Sequence, residues 1–141
     1  MVYSSGTLWL FGGYQSSHGY FNDLWAFHLT SKTWEPFQIP SLPEGRQFHA
    51  MSTFERFDPS RNLIKSDLYI SGGSNYLTKQ VFDGLDKIEG LGQNNITRSS
   101  VLTSVPKEGH SMIAVGNTLI QLSGCNTLKN ECFNTLSILK I

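Results

Sequence analysis

Short apolar runs alternate with polar, turn-forming residues along almost the whole chain. Three runs of five residues each end at a glycine-containing pair: Thr7–Phe11 before Gly12-Gly13, Asp67–Ser71 before Gly72-Gly73, and Thr118–Leu122 before Ser123-Gly124. The runs are bounded by Gly, Asn, Asp and Ser, which is typical of strands joined by turns. No stretch has helical periodicity long enough to predict a helix. The pattern therefore predicts an all-β domain.

The same runs indicate an internal repeat, because glycine, phenylalanine and histidine positions recur at nearly the same spacings as the runs. The closing glycines Gly13, Gly73 and Gly124 are 60 and 51 residues apart. The phenylalanines that follow, Phe21, Phe82 and Phe133, are 61 and 51 residues apart. His49 and His110 are again 61 residues apart. We therefore predict three units, with boundaries at 1–42, 43–105 and 106–141.

The first unit closely resembles the kelch motif. The positions that carry the resemblance are Gly12, Gly13, Asn22, Asp23, Trp25, Trp34, Arg46 and His49. Later units diverge, since Lys107 replaces the arginine and Ser123 replaces the first glycine. The resemblance implies that each unit is a blade of a β-propeller, made of four antiparallel strands named A, innermost, to D, outermost.

The resemblance assigns strands to the blades in the order BCD-ABCD-ABC. The predicted strands are Thr7–Phe11, Asp23–Leu29 and Thr33–Phe37 in the first unit, His49–Phe57, Asp67–Ser71, Leu85–Ile88 and Ser99–Val105 in the second, and His110–Val115, Thr118–Leu122 and Asn134–Ile141 in the third. A closed ring needs about 4–8 blades. The chain is therefore predicted to be a partial kelch-type β-propeller, either a fragment of a longer protein or a subunit whose open blade edges self-associate.

Composition and charge limit the classes of molecule that the chain is expected to bind. The chain has 141 residues, with 11 Lys+Arg balanced by 11 Asp+Glu and 39% hydrophobic residues. Zero net charge without runs of like charge disfavours nucleic acid. The longest apolar run, Leu8–Phe11, is too short to cross a membrane. No secretory signal is visible in the first residues. These features predict no nucleic-acid binding and no membrane insertion.

Motifs for catalysis, cofactors and metals are missing from the sequence. The chain contains no Gly-x-Ser-x-Gly, no catalytic-cysteine signature and no Lys-Ser/Thr after its glycine pairs. His18 and His28 have no metal-ligand spacing to Cys, Asp or Glu. We therefore predict no catalytic residue, no cofactor and no metal, and assign the glycine pairs a steric role at close backbone approaches.

The resemblance implies a protein-interaction module, a scaffold or adaptor without catalysis of its own. Kelch domains resemble one another in binding partner proteins or peptides on the side that carries the B–C and D–A connections. The candidate partner-binding residues on that side are Tyr14, His18, Tyr20, Arg46, Tyr76 and Lys79. The alternative is the propeller domain of a larger enzyme, such as a copper-dependent sugar oxidase or a ubiquitin-ligase substrate adaptor.

Two features bear on the cellular compartment. Cys125 and Cys132 flank the B–C connection of the third unit, where a disulfide is geometrically permitted. Asn95 begins an Asn-Ile-Thr glycosylation sequence in a loop-like stretch. Both features favour a secreted or lumenal protein, whereas the usual setting of kelch proteins is the cytosol. The compartment is left open, with the cytosol favoured slightly and a secreted or lumenal location as the alternative.

Overall fold

The computed structural model describes residues 1–39, 41, 43–93, 96–102 and 105–141, and every regular element in them is a β-strand. The predicted all-β class is confirmed. Within these ranges we find no helix that is long and apolar enough to cross a bilayer.

The first unit forms one four-stranded antiparallel sheet with its strands in chain order. The strands are β1 (Val2–Ser4), β2 (Thr7–Gln15), β3 (Gly19–His28) and β4 (Thr33–Pro36). The predicted order BCD left out β1, which occupies the position of strand A. A strand of three residues is too short to show alternation in the sequence. It forms because Ser5 and Gly6, both with positive φ, make the two-residue turn that returns the chain onto β2.

The second unit forms a four-stranded sheet and a small hairpin. Its strands are β5 (Ala50–Asp58), β6 (Leu63–Ser71), β7 (Ser74–Asn75), β8 (Gln80–Val81), β9 (Gly84–Leu91) and β10 (Thr97–Leu102). The sheet order is β10-β9-β6-β5, and β7 pairs with β8. The outermost strand begins two residues earlier than predicted, because Arg98 donates hydrogen bonds of 3.1 and 2.6 Å to Asp86 of β9.

The third unit contains strands A, B and C and a hairpin. Its strands are β11 (Ser111–Val115), β12 (Thr118–Leu122), β13 (Cys125–Asn126), β14 (Glu131–Cys132) and β15 (Leu136–Lys140). The sheet order is β11-β12-β15, as predicted, and β13 pairs with β14. The described strands therefore have the order ABCD-ABCD-ABC.

Two apolar layers hold the three sheets face to face. The layer between the first and second sheets includes Trp9, Leu24 and Leu68, all buried. The layer between the second and third sheets includes Tyr69 and Leu119. Leu68 and Tyr69 are neighbours on β6 and point to opposite faces, as alternation along a strand requires. The middle sheet is therefore buried on both sides, as in stacked propeller blades.

A glycine at the end of strand B brings the next unit close. A side chain at Gly72 would place its Cβ 2.2 Å from the carbonyl oxygen of Lys107. At the equivalent Gly12, a Cβ would lie 2.8 Å from the carbonyl oxygen of Arg46. Both contacts are shorter than real Cβ contacts, so this backbone approach needs glycine, in agreement with the predicted steric role.

Candidate functional site

The hairpins that join strands B and C project from one side of the molecule, together with the connections between units. We call this side the loop face; it comprises the hairpins at 13–21, 73–82 and 124–133 and the connections at 43–49 and 105–110. Backbone hydrogen bonds attach each connection to the hairpins beside it: Gln47 pairs with Ser74, and Glu108 pairs with Cys125. The loop face is therefore a continuous surface.

Side-chain hydrogen bonds also join the three hairpins to one another, and Tyr76 is their centre. The Tyr76 backbone N–H donates to the Tyr20 hydroxyl of the first hairpin at 3.1 Å. The Tyr76 hydroxyl lies 3.2 Å from the Thr127 hydroxyl of the third hairpin. The same Tyr76 hydroxyl donates to Glu108 Oε2 at 2.8 Å. These bonds order the hairpin tips relative to one another.

Glu108 is a buried carboxylate beneath this network. It is 3% exposed and accepts hydrogen bonds from the hydroxyls of Ser74, Tyr76 and Thr127. Burial by itself raises the pKa of Glu108, but the three hydrogen bonds together outweigh it and hold that pKa below its ordinary value. The ionised side chain therefore fastens the second and third hairpins together.

Five of the six predicted partner-binding residues lie on the loop face with solvent access. Tyr14, His18, Tyr76 and Lys79 are exposed, and Tyr20 is half-buried. The rings of Tyr14 and Tyr20 lie 4.8 Å apart across the first hairpin. Tyr20 and Tyr76 are joined through the hydrogen bond described above. The structure thus brings the three tyrosines together, with His18 and Lys79 at the turns of two separate hairpins.

Arg46 is the sixth predicted residue, and it is only 4% exposed. Its guanidinium lies 3.9 Å above the Phe82 ring and donates to the carbonyl of Gly72 at 3.1 Å. Its Nη1 is 3.6 Å from Asp86 Oδ2. Burial lowers the pKa of Arg46, and the Asp86 carboxylate opposes that shift. Arg46 therefore packs the connection at 43–49 against the second sheet. The sequence had predicted it as a surface residue that binds the partner, and its burial makes this prediction wrong.

Four exposed apolar residues of the loop face were missing from the prediction: Leu77, Leu128, Phe48 and Val105. Leu77 and Leu128 are 75% and 50% exposed and occupy the same position in neighbouring hairpins. Each follows an asparagine by two residues, Asn75 or Asn126, whose side chain accepts a backbone N–H of the turn. Alignment of these two Asn-x-Leu segments is the signal that would have found the leucines.

Cys125 and Cys132 lie opposite each other on β13 and β14 and form a disulfide in the structure. They occupy the hairpin position that Tyr14 and Tyr20 occupy in the first unit. The bridge thus closes the third hairpin beneath Thr127. The glycosylation candidate Asn95 lies outside the described residues.

The loop face offers aromatic and aliphatic surface with a few hydroxyl, amide and charged groups. No group of three or more His, Cys, Asp or Glu side chains is arranged to hold a metal ion in the described ranges. A family model of the kelch motif matches residues 1–40, which contain the whole first sheet. The two following sheets repeat its antiparallel A-to-C strand order. The chain therefore carries a kelch repeat, in an all-β architecture consistent with a partial kelch β-propeller.

Proposed function

We propose that this chain is a protein-interaction module, a scaffold or adaptor, that binds a partner protein or peptide through the loop face and performs no catalysis of its own. The observation that carries the proposal is the hydrogen-bonded chain from Tyr20 through Tyr76 to Thr127. It joins three hairpins from three successive sheets into one ordered surface. Kelch repeats are generally interaction modules, which supports the same assignment.

The composition of the loop face suits binding. Tyrosine is enriched among interface residues that contribute most to affinity, because it combines apolar area with a hydrogen-bonding hydroxyl. Tyr14 is exposed and rests on Tyr20, so little rotamer freedom is lost when a partner covers it. Leu77 and Leu128 add apolar area at adjacent tips. A partner that spans all three hairpins would bury these four side chains.

A matched pair of double variants tests this proposal. Y14A/L77A removes one exposed aromatic and one exposed aliphatic side chain from the loop face. F57A/I64A removes the same two kinds from the opposite end, where Phe57 and Ile64 face each other on β5 and β6. No side chain of either pair makes a hydrogen bond to another of the described residues. Both variants should therefore keep the urea midpoint of the wild type.

The measurement is quantitative affinity capture from an extract of the native source, with the full-length protein as bait. We expect Y14A/L77A to reduce capture of the specific partner at least tenfold and F57A/I64A to leave it within twofold. The opposite result would place the partner on the other end of the sheets. An equal loss of captured partner with both variants would mean that capture depends on nonspecific hydrophobic binding.

We also propose that the chain self-associates through its uncovered sheet faces and edges. The first sheet has a cross-strand row of apolar side chains that faces away from the second sheet and consists of Tyr3, Leu8, Phe27 and Trp34. On the third sheet, Ile113, Ile120 and Ile138 form another. Exposed apolar faces of this kind promote association. In sedimentation velocity, I113K/I138K should shift the chain toward the monomer, whereas an unchanged distribution would contradict this contact.

A further inference from the structure

Phe48 has a backbone conformation that aromatic residues rarely adopt. Its φ is +55°, in the left-handed region where a Cβ crowds the backbone. The other non-glycine residues described with positive φ are small or polar: Ser5, Lys32, Ser41, Asn62, Lys79, Ser123 and Asn130. Phe48 is thus the one large apolar side chain held in this conformation among the residues that the structure describes. Strained residues of this kind concentrate at functional sites.

The repeat shows what the fold itself requires at this position. Phe48 follows Arg46-Gln47 and precedes His49, and the equivalent residue after Lys107-Glu108 is Gly109. Gly109 has φ +64°, so both units need a left-handed residue here. The Gly109 N–H donates to the Phe48 carbonyl at 2.8 Å, which ties the two positions together. Glycine meets this requirement without strain.

Packing does not explain the phenylalanine either. Phe48 is 56% exposed and belongs to neither apolar layer between the sheets. The chain therefore has at this position a residue that strains the backbone and leaves most of an aromatic ring in water. Neither feature stabilises the fold.

Hydrogen bonds place Phe48 beside the hairpin network. Its neighbour Gln47 pairs with Ser74 at the base of the second hairpin. Its carbonyl binds Gly109, which follows Glu108, the acceptor of the Tyr76 hydroxyl. Phe48 is therefore connected to Tyr76 through the backbone of the second connection and Glu108, which places the Phe48 backbone at the base of the hairpin network.

We propose that Phe48 is the anchor of the partner site, with its ring packed against apolar side chains of a linear peptide segment of the partner. This inference rests on the proposed function and adds the residue that contributes most to it. The exposed lysines of the loop face, Lys79 and Lys129, are balanced by the exposed Glu44 and Glu131. Charge therefore does not select the partner, and the apolar side chains do.

A peptide selection supplies a defined probe. A phage-displayed library of random 12-residue peptides is selected on the full-length wild-type protein, and the Kd of the enriched peptides is measured by fluorescence polarisation. We expect F48A and F48G each to weaken binding at least tenfold, F48Y to retain it within threefold, and F57A/I64A to leave it unchanged. K32G, which replaces a left-handed residue in a turn away from the loop face, should also bind as the wild type does.

Stability separates the anchor from a structural residue. F48G should raise the urea midpoint because it removes the strain, whereas F48A keeps the strain and should not raise it. A lower midpoint for F48G would show that the ring stabilises the fold and would overturn the inference. A selection that yields no peptide sensitive to F48A would overturn it as well.

The loop-face variant distinguishes this inference from the proposed function. Peptides that lose affinity for Y14A/L77A but bind F48A normally would leave the proposed function standing and remove Phe48 as the anchor. Peptides that lose affinity for F48A alone would support the anchor and shift the site from the hairpin tips to the connection. Insensitivity to both variants would contradict both proposals.

Discussion

The two places where one unit meets the next have the same backbone and different side chains. At the first junction the backbone carbonyl of Arg46 accepts a hydrogen bond from the Gly13 N–H at 2.9 Å. At the second junction the backbone carbonyl of Lys107 accepts one from the Gly73 N–H, also at 2.9 Å. Arg46 then reaches the carboxylate of Asp86 in the second sheet. At the second junction Ser137 stands where Asp86 stands in the first. The backbone pattern therefore survives the loss of the ion pair that accompanies it.

Lys107 illustrates the consequence. It is 4% exposed, and among the described residues no carboxylate lies within ion-pair distance of it. Burial lowers the pKa of Lys107. A repeat can thus keep a buried cation at this position after the carboxylate that pairs with it has been lost. The two junctions therefore contribute different amounts to the free energy of unfolding.

Acidification should produce the largest effect, because each junction also contains a histidine, half-buried His49 at the first and buried His110 at the second. Burial lowers the pKa of His49 and of His110 to about 4, with added repulsion from Arg46 and Lys107 respectively. The unfolded chain binds these protons near pH 6.5 and the folded chain does not. Stability is therefore complete above pH 6.5 and falls by about 1.4 kcal/mol per pH unit for each histidine down to about pH 4.

Urea unfolding at a series of pH values measures this slope. H49L and H110L should each remove about half of it. The double variant should be nearly flat between pH 6.5 and about 5, because the carboxylates whose pKa is lowered in the folded state, Glu108 among them, add their own loss of stability only below that range. A wild-type protein equally stable at pH 7 and pH 5 would mean that both imidazoles are charged or solvated in the folded state.

Replacement of Arg46 should have the next largest effect. R46M keeps the apolar stem but leaves the Gly72 carbonyl without its donor and removes one cation from Asp86. Loss of one partner of a buried pair costs about 3 kcal/mol, at the lower end of the usual range, because Arg98 still binds Asp86. Chemical denaturation measures the loss. A cost below about 1 kcal/mol would show that the pairing of Arg46 with Asp86 contributes little to stability.

Removal of the disulfide should have the third largest effect. C125S/C132S opens the loop between two cysteines that are seven residues apart in sequence, and it should lower the free energy of unfolding by about 2.5 kcal/mol. Y14A in the equivalent hairpin position of the first unit is the comparison, and it should cost less than about 1 kcal/mol. If the two changes cost the same, the bridge adds nothing beyond packing.

The redox state of these cysteines in the native source is a separate measurement. Counting free thiols in denatured, unreduced protein distinguishes the two compartments that the sequence left open. Zero free thiols is the result expected for a secreted or lumenal protein, and two free thiols would indicate the reducing cytosol.

Replacement of Lys107 should have the smallest effect and the opposite sign to that of Arg46. K107M removes a buried ammonium that has no carboxylate partner among the described residues and retains the apolar stem. We expect it to stabilise the protein by about 1 kcal/mol, since desolvation of the charge no longer opposes folding. Comparison of the urea midpoints of K107M and R46M gives the difference between the junctions directly. A destabilised K107M would reveal an acceptor for the ammonium.

Most of the strand pattern was predictable because it depends on local composition. The middle strand Thr118–Leu122 has the predicted bounds, and β6 ends at Ser71, directly before its glycine pair. The predicted end of β2 at Phe11 was wrong, because β2 continues through Gly12-Gly13 to Gln15 with a shift in register between Phe11 and Gly13. The strand β1 was not predictable, because three residues carry no periodicity and their pairing depends on a turn and on a partner strand. The early start of β10 depends on the pairing of Arg98 with Asp86, a contact between strands.

The candidate site was predictable to a lesser extent. Tyr14, Tyr20 and Tyr76 were found because loop position and residue type together indicate a surface role. Arg46 was grouped with them because a sequence does not show which way a long side chain turns. Its stem and guanidinium fold back over Phe82, where aromatic contact and the Asp86 charge compensate for lost hydration.

The amino-acid sequence alone determined the all-β class, the repeat and most of its strands, and the position of the two cysteines at opposite ends of a hairpin, because each depends on residues close together in the chain. Only the tertiary structure decided that Arg46 is buried, that Glu108 joins two hairpins, and that Phe48 is exposed in a left-handed conformation. Each of these depends on contacts between different units, and the energies of burial and hydrogen bonding exist only once the units have packed against one another.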